Sequence, residues 1–179
     1  MNNGSGASSL MLASQNGDLN TVKALIDKGV DVNAIDRGKG GLTAIRLASH
    51  KGHLEIVNAL LAVPSIDIDV ADNNGWNALR VASFEGHLDV VNALIAAGAD
   101  VNTITDGGWT AFEIASKKGH TDIVNALREA GAKEQNVAWH NLKDLPVPGV
   151  IQKKRGWFSG GRKTRKNKLR RKKVTRYRH

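Results

Sequence analysis

Histidines and serines recur at regular spacing along this chain, and both residue types can do chemistry. His53, His87 and His120 each follow a glycine. Three imidazoles suggest a metal site, but zinc needs ligands that converge on one point. Equivalent residues separated by a whole structural unit stack in line instead, so no metal is expected. Ser14, Ser49, Ser83 and Ser116 recur in the same way, each directly after an alanine. None lies in a Gly-x-Ser-x-Gly turn and no His/Asp set surrounds one, which argues against an activated nucleophile. The stretch Gly156-Trp157-Phe158-Ser159-Gly160-Gly161-Arg162-Lys163-Thr164 approaches a phosphate-binding loop. It carries one residue too many before the lysine, with no strand before it and no apolar helix after it. The 179 residues contain no cysteine, which removes disulfides, thiolate metal sites and cysteine nucleophiles. No catalytic residue and no cofactor is expected.

The spacing that argues against chemistry argues for a repeat. Leu12-Ala13-Ser14-Gln15-Asn16-Gly17-Asp18-Leu19 aligns with Leu47-Ala48-Ser49-His50-Lys51-Gly52-His53-Leu54, with Val81-Ala82-Ser83-Phe84-Glu85-Gly86-His87-Leu88 and with Ile114-Ala115-Ser116-Lys117-Lys118-Gly119-His120-Thr121. Glycines 17, 52, 86 and 119 are thus 35, 34 and 33 residues apart. Each unit reads as two short amphipathic helices. Leu79 and Ala82 share a face of the first, while Leu88, Val91, Leu94 and Ile95 follow helical spacing on the second. Gly86 and Gly98 are placed to end them in the left-handed conformation that a Cβ disfavours. The small Ala78 and Ala82 let neighbouring first helices approach closely. Helices this short are marginal alone, so each unit must bury its apolar face on the next.

Residues 8–133 resemble the ankyrin repeat family. The resemblance rests on Gly41-Leu42-Thr43-Ala44-Ile45, Gly75-Trp76-Asn77-Ala78-Leu79 and Gly108-Trp109-Thr110-Ala111-Phe112. It is extended by the Gly-His pairs and by Gly98-Ala99-Asp100-Val101-Asn102. It implies an all-α solenoid with a turn or hairpin leading each helix pair. The units would span 1–36 (a capping repeat beginning near Ser8), 37–72, 73–104 and 105–133, followed by a cap or linker over 134–149 and a basic tail over 150–179. The family's Thr-Pro-Leu-His box reads Thr43-Ala44-Ile45-Arg46, Asn77-Ala78-Leu79-Arg80 and Thr110-Ala111-Phe112-Glu113. Without its histidine, the usual side-chain link between adjacent turns is not expected. Arg37-Gly38-Lys39-Gly40 enlarges the second unit's turn, and Pro64-Ser65-Ile66-Asp67 lengthens its exit.

The resemblance also implies a protein partner, held by the turn tips and the exposed face of the first helices. Carried onto this chain, the turn tips include Leu42, Trp76 and Trp109, and the helix face includes Gln15, Asn16, His50, Lys51, Phe84, Glu85, Lys117 and Lys118. Aromatic side chains there would be favoured anchors. The competing reading is that Trp76 and Trp109 only brace neighbouring turns. If they are anchors, alanine at either should weaken the partner with little loss of folding. Leu25…Asp31-Val32-Asn33 and Leu94…Asp100-Val101-Asn102 are similar to the ankyrin context accepted by asparaginyl hydroxylases. Alternatively, Asn33 and Asn102 simply bond turn backbone.

Charge divides the chain. Residues 1–149 hold 12 Lys/Arg against 17 Asp/Glu, whereas 150–179 hold 14 Lys/Arg and no acid. Trp139, Leu142, Leu145 and Val147, followed by Pro148, suggest a capping helix that ends before Pro146. Beyond it, Lys153, Lys154, Arg155, Arg162, Lys163, Arg165, Lys166, Lys168, Arg170, Arg171, Lys172 and Lys173 are too densely charged to collapse, so the tail is expected to be disordered when free. Such a tail serves as a nuclear or nucleolar address, or it neutralises phosphates of nucleic acid while Trp157, Phe158 and Tyr177 stack on bases. An anionic lipid surface is a weaker reading. In composition the tail is similar to the C-termini of some large-DNA-virus proteins, and an ankyrin protein of a virus or intracellular pathogen fits it. No run approaches the roughly 20 apolar residues of a membrane span, and no secretory signal opens the chain. A monomer, nuclear or else cytoplasmic, is expected.

Overall fold

A computed structural model describes residues 3–133. The expectations for a cap over 134–149 and for the tail over 150–179 lie outside these residues. Within them the chain forms four helix pairs: α1 (Asn3–Asn16) with α2 (Leu19–Asp27), α3 (Ala44–Lys51) with α4 (Leu54–Leu61), α5 (Ala78–Glu85) with α6 (Leu88–Ala96), and α7 (Ala111–Lys118) with α8 (Thr121–Glu129). The first helices stack on one another and the second helices form a parallel row. Among the described residues the extended pairing is an isolated bridge between Asp36 and Leu42. The first unit, read from the sequence as a capping repeat beginning near Ser8, opens with a helix that starts at Asn3.

Local chemistry sets the helix ends. Thr43, Asn77 and Thr110 cap α3, α5 and α7, each accepting the backbone N–H three residues on. Each thereby satisfies a donor that the first turn leaves unpaired. At α7, Glu113 also accepts from the Thr110 N–H at 2.9 Å, completing a reciprocal box. Gly52, Gly86 and Gly119 close the same helices with φ between 71° and 87°.

The core runs along the stack. Ala44 and Ala48, Ala78 and Ala82, Ala111 and Ala115 are all buried where first helices meet. Behind them lie Val22, then Ile56, Val57 and Leu60, then Val90, Val91 and Leu94, then Ile123 and Leu127 from the second helices. A separate apolar cluster of Trp76, Val81, Trp109 and Ile114, with Phe84 against it, sits on the turn side of the last two units.

Candidate protein-interaction surface

The recurring histidines work as joints. Each opens a second helix and reaches back to the unit before: His53 Nε2 lies 3.3 Å from the Gln15 carbonyl, His87 Nε2 3.2 Å from that of His50, and His120 Nε2 3.2 Å from that of Phe84. A carbonyl only accepts, so Nε2 carries the hydrogen in each case. The rings lie over Gly17, Gly52 and Gly86, where a Cβ would approach them to 3.0, 2.8 and 2.8 Å. The Gly-His spacing is therefore explained by close stacking. Among the described residues no group of three potential ligands could hold a metal ion.

The opposite edge has its own ladder. The Asn33 amide donates to the Ser65 carbonyl at 2.6 Å, and its oxygen accepts from the Asp67 N–H at 2.8 Å. Asn102 does the same for Gly131 and Lys133, at 3.5 and 2.9 Å. Asp69, at the equivalent place, accepts from the Asp100 N–H at 3.1 Å. Both asparagines are thus engaged with backbone, but with that of the following unit rather than their own turn.

Between these edges the turns are linked after all. Arg46 stands where the family box has histidine, and its Nη2 donates to Asp72 of the next turn at 2.8 Å, with both side chains only 4% exposed. Asp72 Oδ1 meanwhile accepts from the N–H groups of Asn74 and Trp76 at 2.8 and 2.9 Å. The expectation that losing the histidine removes the link is corrected: a longer cation reaches a carboxylate that the turn already orients. Burial lowers the Arg46 pKa, and Asp72 opposes that shift. Arg80 occupies the same place one unit on, but Thr105 replaces the carboxylate there. Its Nη1 donates to the Gly75 carbonyl, while Nε and Nη2 find no partner. Its pKa is pushed down to about 10 by burial, against the attraction of Asp69, Asp100 and Asp72.

The exposed aromatic stripe does not form. Trp76 is 0% and Trp109 1% exposed, so both indoles are inside the second cluster, and the bracing reading describes their placement. The physical reason is that both indoles join Val81 and Ile114, each about one helical turn into its helix, in one buried apolar cluster. Phe84 stays half-buried, edge-on to Trp76 at 5.6 Å, with Lys118 Nζ 4.0 Å above its ring. Glu85 Oε1 lies 3.1 Å from His50 Nδ1. Lys51, Lys117 and Lys118 are exposed, as are Gln15 and Asn16.

Sequence reasoning missed the large apolar side chains that do face outward: Leu12 at 58%, Ile35 at 41% and Ile104 at 55%. Leu12 and the half-buried Leu42 flank a shallow groove floored by Met11 and Leu47, with Gln15 and Asp36 at its rim. The aligned positions Ala7, Leu42, Trp76 and Trp109 explain it. The last two units fill this space with an indole and the first two do not. The signal was present in the alignment as a change of side-chain size at one position.

A family model of ankyrin repeats in three copies matches residues 10–105. The chain belongs to the ankyrin repeat family, whose members mediate protein–protein interaction and typically act as scaffolds without catalysis. Helices α7 and α8 continue the same build beyond the matched span. No described helix is long and apolar enough to cross a membrane.

Proposed function

We propose that this protein recognises a protein partner through the face formed by α1, α3, α5, α7 and their leading turns, and that residues 150–179 direct it to the nucleus or onto nucleic acid. The observation that carries the first half is the open groove between Leu12 and Leu42, where the exposed Leu12 stands beside Met11 and Leu47 with Ser8, Gln15 and Asp36 around them. An exposed leucine beside a preformed depression offers burial to a partner at little ordering cost. In line with it stand Lys51, Phe84, Glu85, Lys117 and Lys118, which vary from unit to unit and so are free to specify a target. The basis for the second half is charge: a segment with 14 cations and no acid attracts phosphates or an import receptor.

Affinity capture from nuclease-treated extract tests both halves, using the full chain and its Leu12→Glu variant in parallel. A protein retained by the wild type at 0.3 M salt and lost by the variant supports the first-helix face as the recognition surface. Identical capture by both, released by salt, makes the tail the active part and the repeats a scaffold.

A further inference from the structure

The fourth unit is folded like the others, yet one side of it is left open. Ser14, Ser49 and Ser83 are each 0% exposed in the first helices of the units before it, whereas Ser116 at the aligned place is exposed. Histidine rings lie over Gly17, Gly52 and Gly86, but a Cβ on Gly119 meets nothing described within 4 Å. In the second helices Val22, Val57 and Val91 are buried, and Val124 in their place is half-buried. Three positions thus differ in the same sense, and each is covered wherever another unit follows.

What the chain offers next points to the occupant. Asn102 accepts from the Lys133 N–H at 2.9 Å, as Asn33 accepts from the Asp67 N–H at 2.8 Å. The chain therefore leaves the fourth unit in the register in which the second leads into the third. After Lys133, however, the glycine-bearing turn is not repeated. Asn136, a favoured N-cap, follows three residues on, and Pro146 sets the end of any helix that starts there. Between them Ala138, Leu142 and Leu145 share one helical face, with Trp139 at its edge. Residues 137–145 number nine, as many as α6 or α8. A helix this short is unstable in isolation, so its apolar face needs a surface. Three residues span at most about 10 Å, which is also about the separation of packed helices. The open side of α7 and α8 is the surface within that reach. A segment tethered so closely has an effective concentration on the order of millimolar, which an untethered second copy does not match.

We propose that residues 134–149 form a half unit: one helix over 137–145 docks on the open side of α7 and α8, with Trp139, Leu142 and Leu145 against Ser116, Gly119 and Val124. It closes the stack without a second helix. It also fixes the start of residues 150–179 at the end of the solenoid, whatever partner the first-helix face takes.

The chain has no cysteine, so His140→Cys gives a unique attachment point for a nitroxide, on the side of the helix away from Leu142 and Leu145. Amide signals of the isotopically labelled full chain are recorded with the nitroxide oxidised and then reduced. Broadening is expected at Ser116, Gly119 and Val124, and not at Ser14 or Val22, three units away. A second measurement removes the docking face. Trp139→Ser with Leu142→Ser should shift the same three amides and speed hydrogen exchange in α7 and α8 about tenfold or more, with α3 unchanged. Trp157→Ser with Phe158→Ser, a comparable apolar loss in the tail, should do neither. Broadening spread along the whole chain, or absent from the fourth unit, overturns the proposal. So does broadening in a mixture where nitroxide and isotope are carried by different molecules, because a second copy then covers the face.

Discussion

The Arg46–Asp72 pair makes a quantitative claim about how two units hold together. Replacing Asp72 by asparagine keeps an oxygen for the Asn74 and Trp76 N–H groups but removes the charge opposite Arg46. A guanidinium only 4% exposed is then left without its counter-ion, and stranding one partner of a buried pair costs about 3–5 kcal/mol. Arg46→Met is expected to cost less, about 1–3 kcal/mol, because the carboxylate retains two backbone donors and the methionine fills most of the space. The double variant Arg46→Met with Asp72→Asn removes both charges and should cost no more than about 2 kcal/mol, so the coupling between the sites is at least about 2 kcal/mol. Urea unfolding followed by far-ultraviolet circular dichroism, on the full chain and at fixed salt, measures all four corners of the cycle. The predicted order is Asp72→Asn worst, Arg46→Met next, and the double variant far better than the two losses combined. Single effects that combine additively to within about 0.5 kcal/mol would refute the link.

Further outcomes follow from the same geometry. Thr105→Asp places a carboxylate opposite Arg80, whose Nε and Nη2 lack partners, and should raise the urea midpoint by the equivalent of about 1–2 kcal/mol; an unchanged or lower midpoint removes the equivalence of the two joints. Trp76→Ala should destabilise by about 3–5 kcal/mol as a core truncation, whereas Trp76→Phe should cost clearly less because the indole N–H has no partner to lose; thermal melts distinguish bracing from surface placement. Gly52→Ala should cost more than Gly119→Ala, since both sit at positive φ but only the former drives a Cβ to 2.8 Å from a histidine ring. Equal losses would mean that strain in the backbone alone matters. Burial pushes the His50 pKa below 6.5, with Glu85 opposing the shift. The unfolded chain therefore takes up that proton more readily, and stability should fall as pH drops through 6.5 and below. His50→Gln should flatten part of that fall in urea midpoints measured from pH 7.5 to 5.5.

The repeat was fully legible in the sequence because its signal is redundant: four glycines in register, each with its alanine-serine pair, outvote any local exception. The helix-ending glycines were legible for the same reason, since one physical need recurs four times. The site was less so. Trp76 and Trp109 were aligned with turn-tip positions, and nothing in their spacing tells that the indoles are buried in one cluster with Val81 and Ile114. Side-chain direction is settled by neighbours several residues away, which an alignment column does not contain. Arg46 was misread as a missing link because the comparison was made by residue type rather than by reach. A guanidinium spans a distance an imidazole does not, and only the position of Asp72 in the following turn shows what it meets. Leu12 was passed over because its aligned partners Leu47, Val81 and Ile114 are all buried. Leu12 itself is 58% exposed.

The fastenings that cross the junction between the second and third units are not in one line. His87 holds one edge through the His50 carbonyl, Asp69 holds the other through the Asp100 N–H, and Arg46 with Asp72 stands at the turns. Three separated points fix a plane, so neither tilt nor torsion at this junction can relax without breaking a bond. At the next junction His120 and Asn102 hold the edges, and the turns are joined by a backbone bond from the Asp106 N–H to the Asn74 carbonyl at 3.3 Å, with Thr105 standing where the second joint has the ion-paired Asp72. Under load the molecule should therefore flex between its third and fourth units first, carrying Lys117 and Lys118 as a hinged flap against a rigid plate that contains the groove.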